Sequence, residues 1–328
     1  YVVEDSKPKF LSSFRFAANS IFGDGYNFPS ENNGFVVKYK DKIMSILESN
    51  SGQKGINDLI SAYEDIEHRE NSNDIIAYFF SLASHKAIVE KKIPLNFQDM
   101  LAKDEKLKYV FIVFYGAIIY YVAKMMRNEG LSLPQTIAFS GNGSKTLKVL
   151  STDKETVAKF ASLIFEKVFG QKYTETSLEV IFDREPKLAT CKGGIVNKDK
   201  QTFDQIQELK KSLLGVDGST MSEGLTYAKI DEKTKKDVAN QVSEYIDFIF
   251  SINSENKNFF INDLAADSGS LEAAKIICKT DLMEYTKQGF DNKMEELESW
   301  GLGADAEIEE TLFFYPLVAI LSKLAREI

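Results

Sequence analysis

The sequence predicts an α/β fold with a large helical share, and three observations carry that reading. Residues Pro134 to Leu150, PQTIAFSGNGSKTLKVL, run from a short apolar strand (Thr136–Ser140) straight into a glycine turn, Ser140-Gly141-Asn142-Gly143-Ser144-Lys145. An amphipathic helix and a second apolar run, Leu178–Phe182, follow it. Most of the remaining chain sets its apolar residues at helical spacing. Strand, glycine turn and helix in that order are a common way to bring backbone close to a nucleotide.

Composition sets the outer bounds. The chain has 328 residues, enough for one large or two medium domains. Its 44% apolar content, with 24 Phe and 14 Tyr, suffices for a packed core and argues against disorder. A net charge of −9 disfavours nucleic acid or an anionic membrane as the main partner, since both need clustered Lys and Arg. Cys191 and Cys278 supply neither a disulfide framework nor a zinc site, and His68 and His85 lack metal-ligand spacing. This residue usage suits a reducing, cytoplasmic compartment. The chain begins at Tyr1, without methionine, in what reads as a strand, so a piece of a longer protein is expected.

Residues 1–18 read as a hairpin, with Phe10, Phe14 and Phe16 on one strand face. Gly23 and Gly25 then mark a loop in which backbone turns or approaches something closely. From about Gly34 to Ile93 the period is helical: Val36, Tyr39, Ile43 and Leu47 share a face, as do Ile56, Leu59, Ile60 and Tyr63, and then Ile75, Ile76, Phe79, Phe80 and Ala83. A short helix is expected over Phe97–Ala102 and a long one from about Lys106 to Asn128, stopped by Gly130. The uncharged run Tyr109–Ala123 is shorter than the roughly 20 residues a bilayer span requires, and it reads as a helix buried on most sides. After the glycine turn, Thr152 with Glu155 forms a capping box for a helix striped by Val157, Phe160, Ala161, Ile164, Phe165 and Val168 and closed by Gly170.

Beyond the second strand, Asp183–Pro186 reads as a turn and Lys187–Val196 as a short helix ending at Gly193 and Gly194. Helices are expected at Phe203–Leu214, around Val238 to Ile249, at Leu271–Ile277 and Asp281–Lys287, and at the C-terminus, where Pro316 sits near a first turn. The stretch Met294–Glu310 is acid-rich and holds the only Trp, Trp300, and the carboxylates of 291–310 read as solvated faces. Linkers fall near Asn197–Thr202 and Val216–Gly224.

The glycine turn fails two common phosphate motifs on spacing. A P-loop requires glycine directly before lysine, where Ser144 stands, and the dinucleotide fingerprint requires glycine at Thr146. Physically, Gly141 and Gly143 lack Cβ atoms and let backbone lie against a base or ribose. The Ser144 hydroxyl can reach a purine edge, and the Lys145 stem or ammonium can cover an adenine face. A plain strand-to-helix turn is the structural alternative.

The order helix, strand-FSGNGSK, helix, strand, EPKLATCKGG resembles the second half of the actin-like ATPase superfamily, which includes actin, the large heat-shock chaperone ATPases and sugar kinases. Gly141-Asn142-Gly143-Ser144-Lys145 is similar to that family's adenosine motif GGGS[RK], departing at Asn142. Glu185 to Gly194 is similar to its connecting helix, departing at Lys187. Val2-Val3-Glu4 and Ser20 to Gly25 would correspond to the strand after its DxGGGTxD loop and to a later loop. The resemblance spans roughly residues 1–200, with specific motifs at 141–145 and 185–194.

It implies a ribonuclease H-like (actin-like ATPase) nucleotide-binding subdomain over 1–33 and 94–200, a helical insertion over 34–93 and a helical C-terminal extension over 201–328. It further implies a nucleotide site built from Gly141, Asn142, Gly143, Ser144 and Lys145 with Gly23, Gly25, Gly193 and Gly194. The ligand would be ATP with Mg²⁺ in an intact parent. Catalytic and metal-binding acids would lie upstream, in a missing N-terminal lobe, so this chain alone is expected to bind nucleotide weakly or not at all and to hydrolyse none. Protein partners are expected through 201–328. Two alternatives stay open: a non-enzymatic scaffold on the same fold, which Asn142 and Lys187 favour, and an unrelated helical α/β interaction module.

Overall fold

A computed structural model describes residues 34–68, 72–128, 130–139, 146–173, 178–182, 226–299, 301–306, 308 and 311–328. Helix takes up 71% of these residues and strand 4%. In order, the helices of the first part are α1 (Gly34–Glu48), α2 (Ile56–Glu67), α3 (Ser72–Leu82), α4 (Lys86–Glu90), α5 (Phe97–Ala102) and α6 (Lys108–Asn128). Strand β1 (Thr136–Phe139), helices α7 (Leu147–Leu150) and α8 (Lys154–Phe169) and strand β2 (Glu179–Phe182) follow. The C-terminal part holds α9 (Glu232–Glu255), α10 (Phe259–Asn262), α11 (Leu271–Lys279), α12 (Leu282–Ser299) and α13 (Tyr315–Glu327).

This corrects the ribonuclease H-like expectation. Among the described residues the sheet has two strands, β1 and β2, and the rest of the core is helix on helix. A ribonuclease H-like subdomain needs a larger mixed sheet as its central layer. The misreading has a physical origin. One strand–helix–strand crossover occurs in many α/β folds and also as an addition to helical domains, so element order around 136–182 does not determine the layers that surround it. The strands expected at Val2–Glu4 and Phe10–Phe16 lie outside the described residues, as do the helices expected at 187–196 and 203–214.

The helical periodicities hold where they can be seen. Helix α1 buries Val36, Tyr39, Ile43 and Leu47, and α2 buries Ile56, Leu59 and Tyr63. Helix α8 buries Val157, Phe160, Ala161, Ile164, Phe165 and Val168, and Gly170 closes it with φ 68°. Its N-cap is Asp153 rather than Thr152: the Asp153 carboxylate accepts the N–H groups of Glu155 and Thr156. Helix α12 is longer than expected and carries Leu297 into a second, smaller apolar cluster with Tyr227, Val238, Phe290 and Tyr315, while Asp291, Glu295, Glu298 and Asp305 are exposed.

The main apolar cluster runs from Phe35 to Ala325, with α6 through its middle. Every residue from Lys108 to Tyr121 is buried. Helix α6 is long and apolar enough to cross a membrane, yet 78% of its most apolar window lies inside the protein, which makes it a core helix. It packs against α8, α9 and α13. Gly116 lets α9 come close: a Cβ there would stand 2.6 Å from Ile249 Cδ1 and 2.8 Å from the Tyr245 hydroxyl. That hydroxyl donates to the Val113 carbonyl. Gly289 of α12 plays the same part against the first turn of α13, where a Cβ would sit 2.5 Å from the Tyr315 carbonyl oxygen.

Candidate functional site

Strands β1 and β2 pair in parallel, with Thr136 beside Glu179, Ile137 beside Val180, Ala138 beside Ile181 and Phe139 beside Phe182. Helices α7 and α8 make the crossover, and α8 covers one face of the pair. Ile137, Val180, Phe139 and Phe182 point to that covered face, following the strand period of two. Thr136, Ala138, Glu179 and Ile181 are exposed on the other face.

The amino end of this unit is tied down. The Glu179 N–H donates to the Gln135 carbonyl at 2.9 Å, and the Tyr173 hydroxyl donates to the Pro134 carbonyl at 2.8 Å. Burial, with the Glu166 carboxylate nearby, pushes the Tyr173 phenol up to about 12, so it stays a donor at neutral pH. Arg127 at the end of α6 donates to the Val168 carbonyl at 2.7 Å, fixing α8 to the core helix at that same end of the crossover.

The carboxyl end is where the sequence motifs leave the sheet. Ser140 follows Phe139 and Asp183 follows Phe182, and the register sets those two residues side by side, their rings stacked at 6.0 Å and 24°. The chain leading on to the glycine turn and the chain leading on to Glu185–Gly194 therefore leave the described strands from one edge. On the far side of the turn, the described residues resume at Thr146, whose hydroxyl shares a hydrogen bond with the phenol of Tyr115 in α6. Burial pushes that phenol well above the ordinary tyrosine range. Leu147, Val149 and Leu150 of α7 are buried against α5 and α6. Thr146 is thus an anchor for the turn's exit, which agrees with the failure of the P-loop spacing, since that motif needs its hydroxyl free for a metal.

The nine residues singled out for the nucleotide site, Gly23, Gly25, Gly141, Asn142, Gly143, Ser144, Lys145, Gly193 and Gly194, all lie outside the described residues. What the structure places is their frame. Sequence reasoning missed the Tyr115–Thr146 anchor, because nothing in a run of apolar helix marks one tyrosine as the partner of a distant threonine. The Phe139–Phe182 pair did leave a signal, the strand alternation Ile137/Phe139 and Val180/Phe182.

Several other residues have structural roles. His85 caps α4, its Nδ1 accepting the Ala87 N–H at 3.3 Å, and His68 sits at the C-cap of α2. Cys278 is fully buried, and burial pushes its thiol far up, which leaves it unreactive. Among the described residues, no group of three or more His, Cys, Asp or Glu side chains is placed to hold a metal ion. Family models, curated proteins and solved structures give no match to this chain.

Proposed function

We propose that the chain binds an adenine nucleotide at the carboxyl edge of the β1–β2 pair, the turn Gly141–Lys145 contacting the adenosine. The observation that supports this most is the register Phe139 beside Phe182, from which the glycine turn and the Glu185–Gly194 stretch set out together. In open parallel sheets, ligands bind outside the carboxyl ends of the strands. Gly141 and Gly143 would let backbone approach the sugar and base, Ser144 would bond a purine edge, and Lys145 would lie over the ring. The reading is binding, in the cytoplasm, with no catalytic residue assigned. Mg²⁺ would accompany ATP in an intact parent, and further protein partners through 201–328 belong to the same proposal.

Calorimetry with ATP and with adenosine tests it. Saturable binding of both is expected, and Gly143→Val should abolish it while the melting temperature holds. A chain that ignores millimolar ATP, or a Gly143→Val variant that binds like the parent, would leave the turn a purely structural device.

A second reading, a non-enzymatic scaffold, draws support from the uncovered face of the strand pair. Parallel strands are ordinarily covered on both faces, whereas Ile181 is 42% exposed. A partner there would protect β2 from hydrogen exchange.

A further inference from the structure

A cleft of about 950 Å³ opens between α1, the segment joining α4 to α5, and the α5–α6 connection, and no strand residue lines it. Ile88, Ile93 and Leu95 give it a buried apolar floor, with Met100 half-buried beside them. Its rim carries Lys42 from α1, Lys92 from the α4–α5 segment, and Lys103 and Lys106 from the α5–α6 connection. All four are exposed, and none makes an ion pair among the described residues. The volume lies within the range of small-molecule pockets.

The carboxylates of the cleft neutralise these lysines only in part. Asp104 is engaged locally: it accepts the Tyr39 hydroxyl at 2.9 Å and the Leu107 N–H at 3.1 Å and pairs with Lys38 at 3.2 Å. Burial works against its charge, but the Leu107 N–H, the Tyr39 hydroxyl and Lys38 together hold it below the ordinary carboxylate range. Asp267 accepts the Ser270 hydroxyl at 2.5 Å. Asp267 keeps its charge, so Asp99, Glu105 and Asp267 stand against the four lysines and leave the rim with a small excess of positive charge. In a chain of net charge −9, four unpaired lysines from three separate elements around one concavity run against the overall charge.

We propose that this cleft binds a small organic phosphate, its phosphate held by Lys42, Lys92, Lys103 and Lys106 and its apolar body resting on Ile88, Ile93 and Met100. Lysine holds a phosphate as a mobile point charge, which suits donors on flexible stems at an open rim. The apolar floor selects a phosphate ester over the free ion. The site is independent of the sheet edge, so its failure and that of the adenosine reading can be told apart.

Calorimetry with phenyl phosphate and inorganic phosphate at low ionic strength tests the proposal. Phenyl phosphate should bind saturably, more tightly than inorganic phosphate, and lose affinity as salt is raised. The double variant Lys92→Gln/Lys103→Gln should weaken it by about a hundredfold, roughly tenfold per charged contact. Lys42→Gln/Lys106→Gln should do the same, which guards against one pair misfolding. Lys54→Gln/Lys257→Gln, two exposed lysines elsewhere, should leave it unchanged, and adenosine binding should be unaffected by every lysine pair. Equal affinity for the two phosphates, an equal loss in the control pair, or no saturable binding at millimolar ligand would overturn it.

Discussion

Helix α6 and strand β1 are neighbours in the chain and live in opposite surroundings. Helix α6 is packed on nearly every side, with even its glycine pressed against a neighbouring helix. Strand β1 is covered on one face, pairs with a single partner among the described residues and opens at its carboxyl end into the glycine turn. The contrast teaches where each property of the molecule resides. Apolar area removed from water, at about 25 cal/mol per Å², is concentrated around α6, so stability depends on it. The strand pair removes little area and holds the chain in a defined place, which is what a binding edge requires.

The sharpest way to break that comparison is Gly116→Leu. The new side chain would have to enter space held by Ile249 and Tyr245, both fully buried, so neither can swing away. A loss of about 3 kcal/mol is expected from overpacking at such a site, a large part of the stability of an ordinary domain. Urea denaturation followed by circular dichroism reads it directly. A midpoint equal to that of the parent would mean that α6 and α9 are not locked together, and the division between a rigid core and an open edge would fall.

How much of this was legible in the sequence differs between the same two regions. The helices were readable because burial on one side leaves a period that survives in the residues: the stripes of α1, α2 and α8 are the buried faces. The uncharged run at 109–123 was readable as a helix buried on most sides because it is shorter than a bilayer span, although the helix itself reaches 21 residues and its burial is what makes it a core helix. Both strands were located to within a residue. What the residues did not contain was the layer around those strands. Four-residue strands carry little pattern, and the same strand–turn–helix–strand order serves large sheets and small ones, so the resemblance to an actin-like subdomain predicted a sheet that the described residues lack. The lysine cleft was illegible for another reason. Lys42, Lys92, Lys103 and Lys106 are far apart or unremarkable in sequence, and only the packing of α1 against the segments that follow gathers them.

Tyr115→Phe tests the link between the two regions and should have a middling effect. It removes the hydroxyl that holds Thr146 and leaves the ring in place, so the core keeps its volume. Losing one buried hydrogen bond should cost about 1 kcal/mol. If the anchor also fixes the exit of the glycine turn, adenosine affinity should fall further than stability does, and Thr146→Val should reproduce the effect. A variant that loses stability while binding adenosine unchanged would confine the Tyr115–Thr146 bond to a core role and cut the proposed site off from α6.

The smallest effect is expected at Ile181, and it is informative for that reason. Its side chain stands on the uncovered face of β2, beside Ala138, at 42% exposure. Ile181→Thr keeps the β-branch and its strand preference while removing apolar surface that is already partly wet. Stability should stay within about 0.5 kcal/mol, as for most surface substitutions, and adenosine binding should not change, because the side chain points away from the edge that carries the turn. A loss several times larger in thermal melts would show that this face is covered in solution. Strand β1 would then be buried on both sides, as parallel strands ordinarily are, and its contrast with α6 would become one of depth rather than of kind.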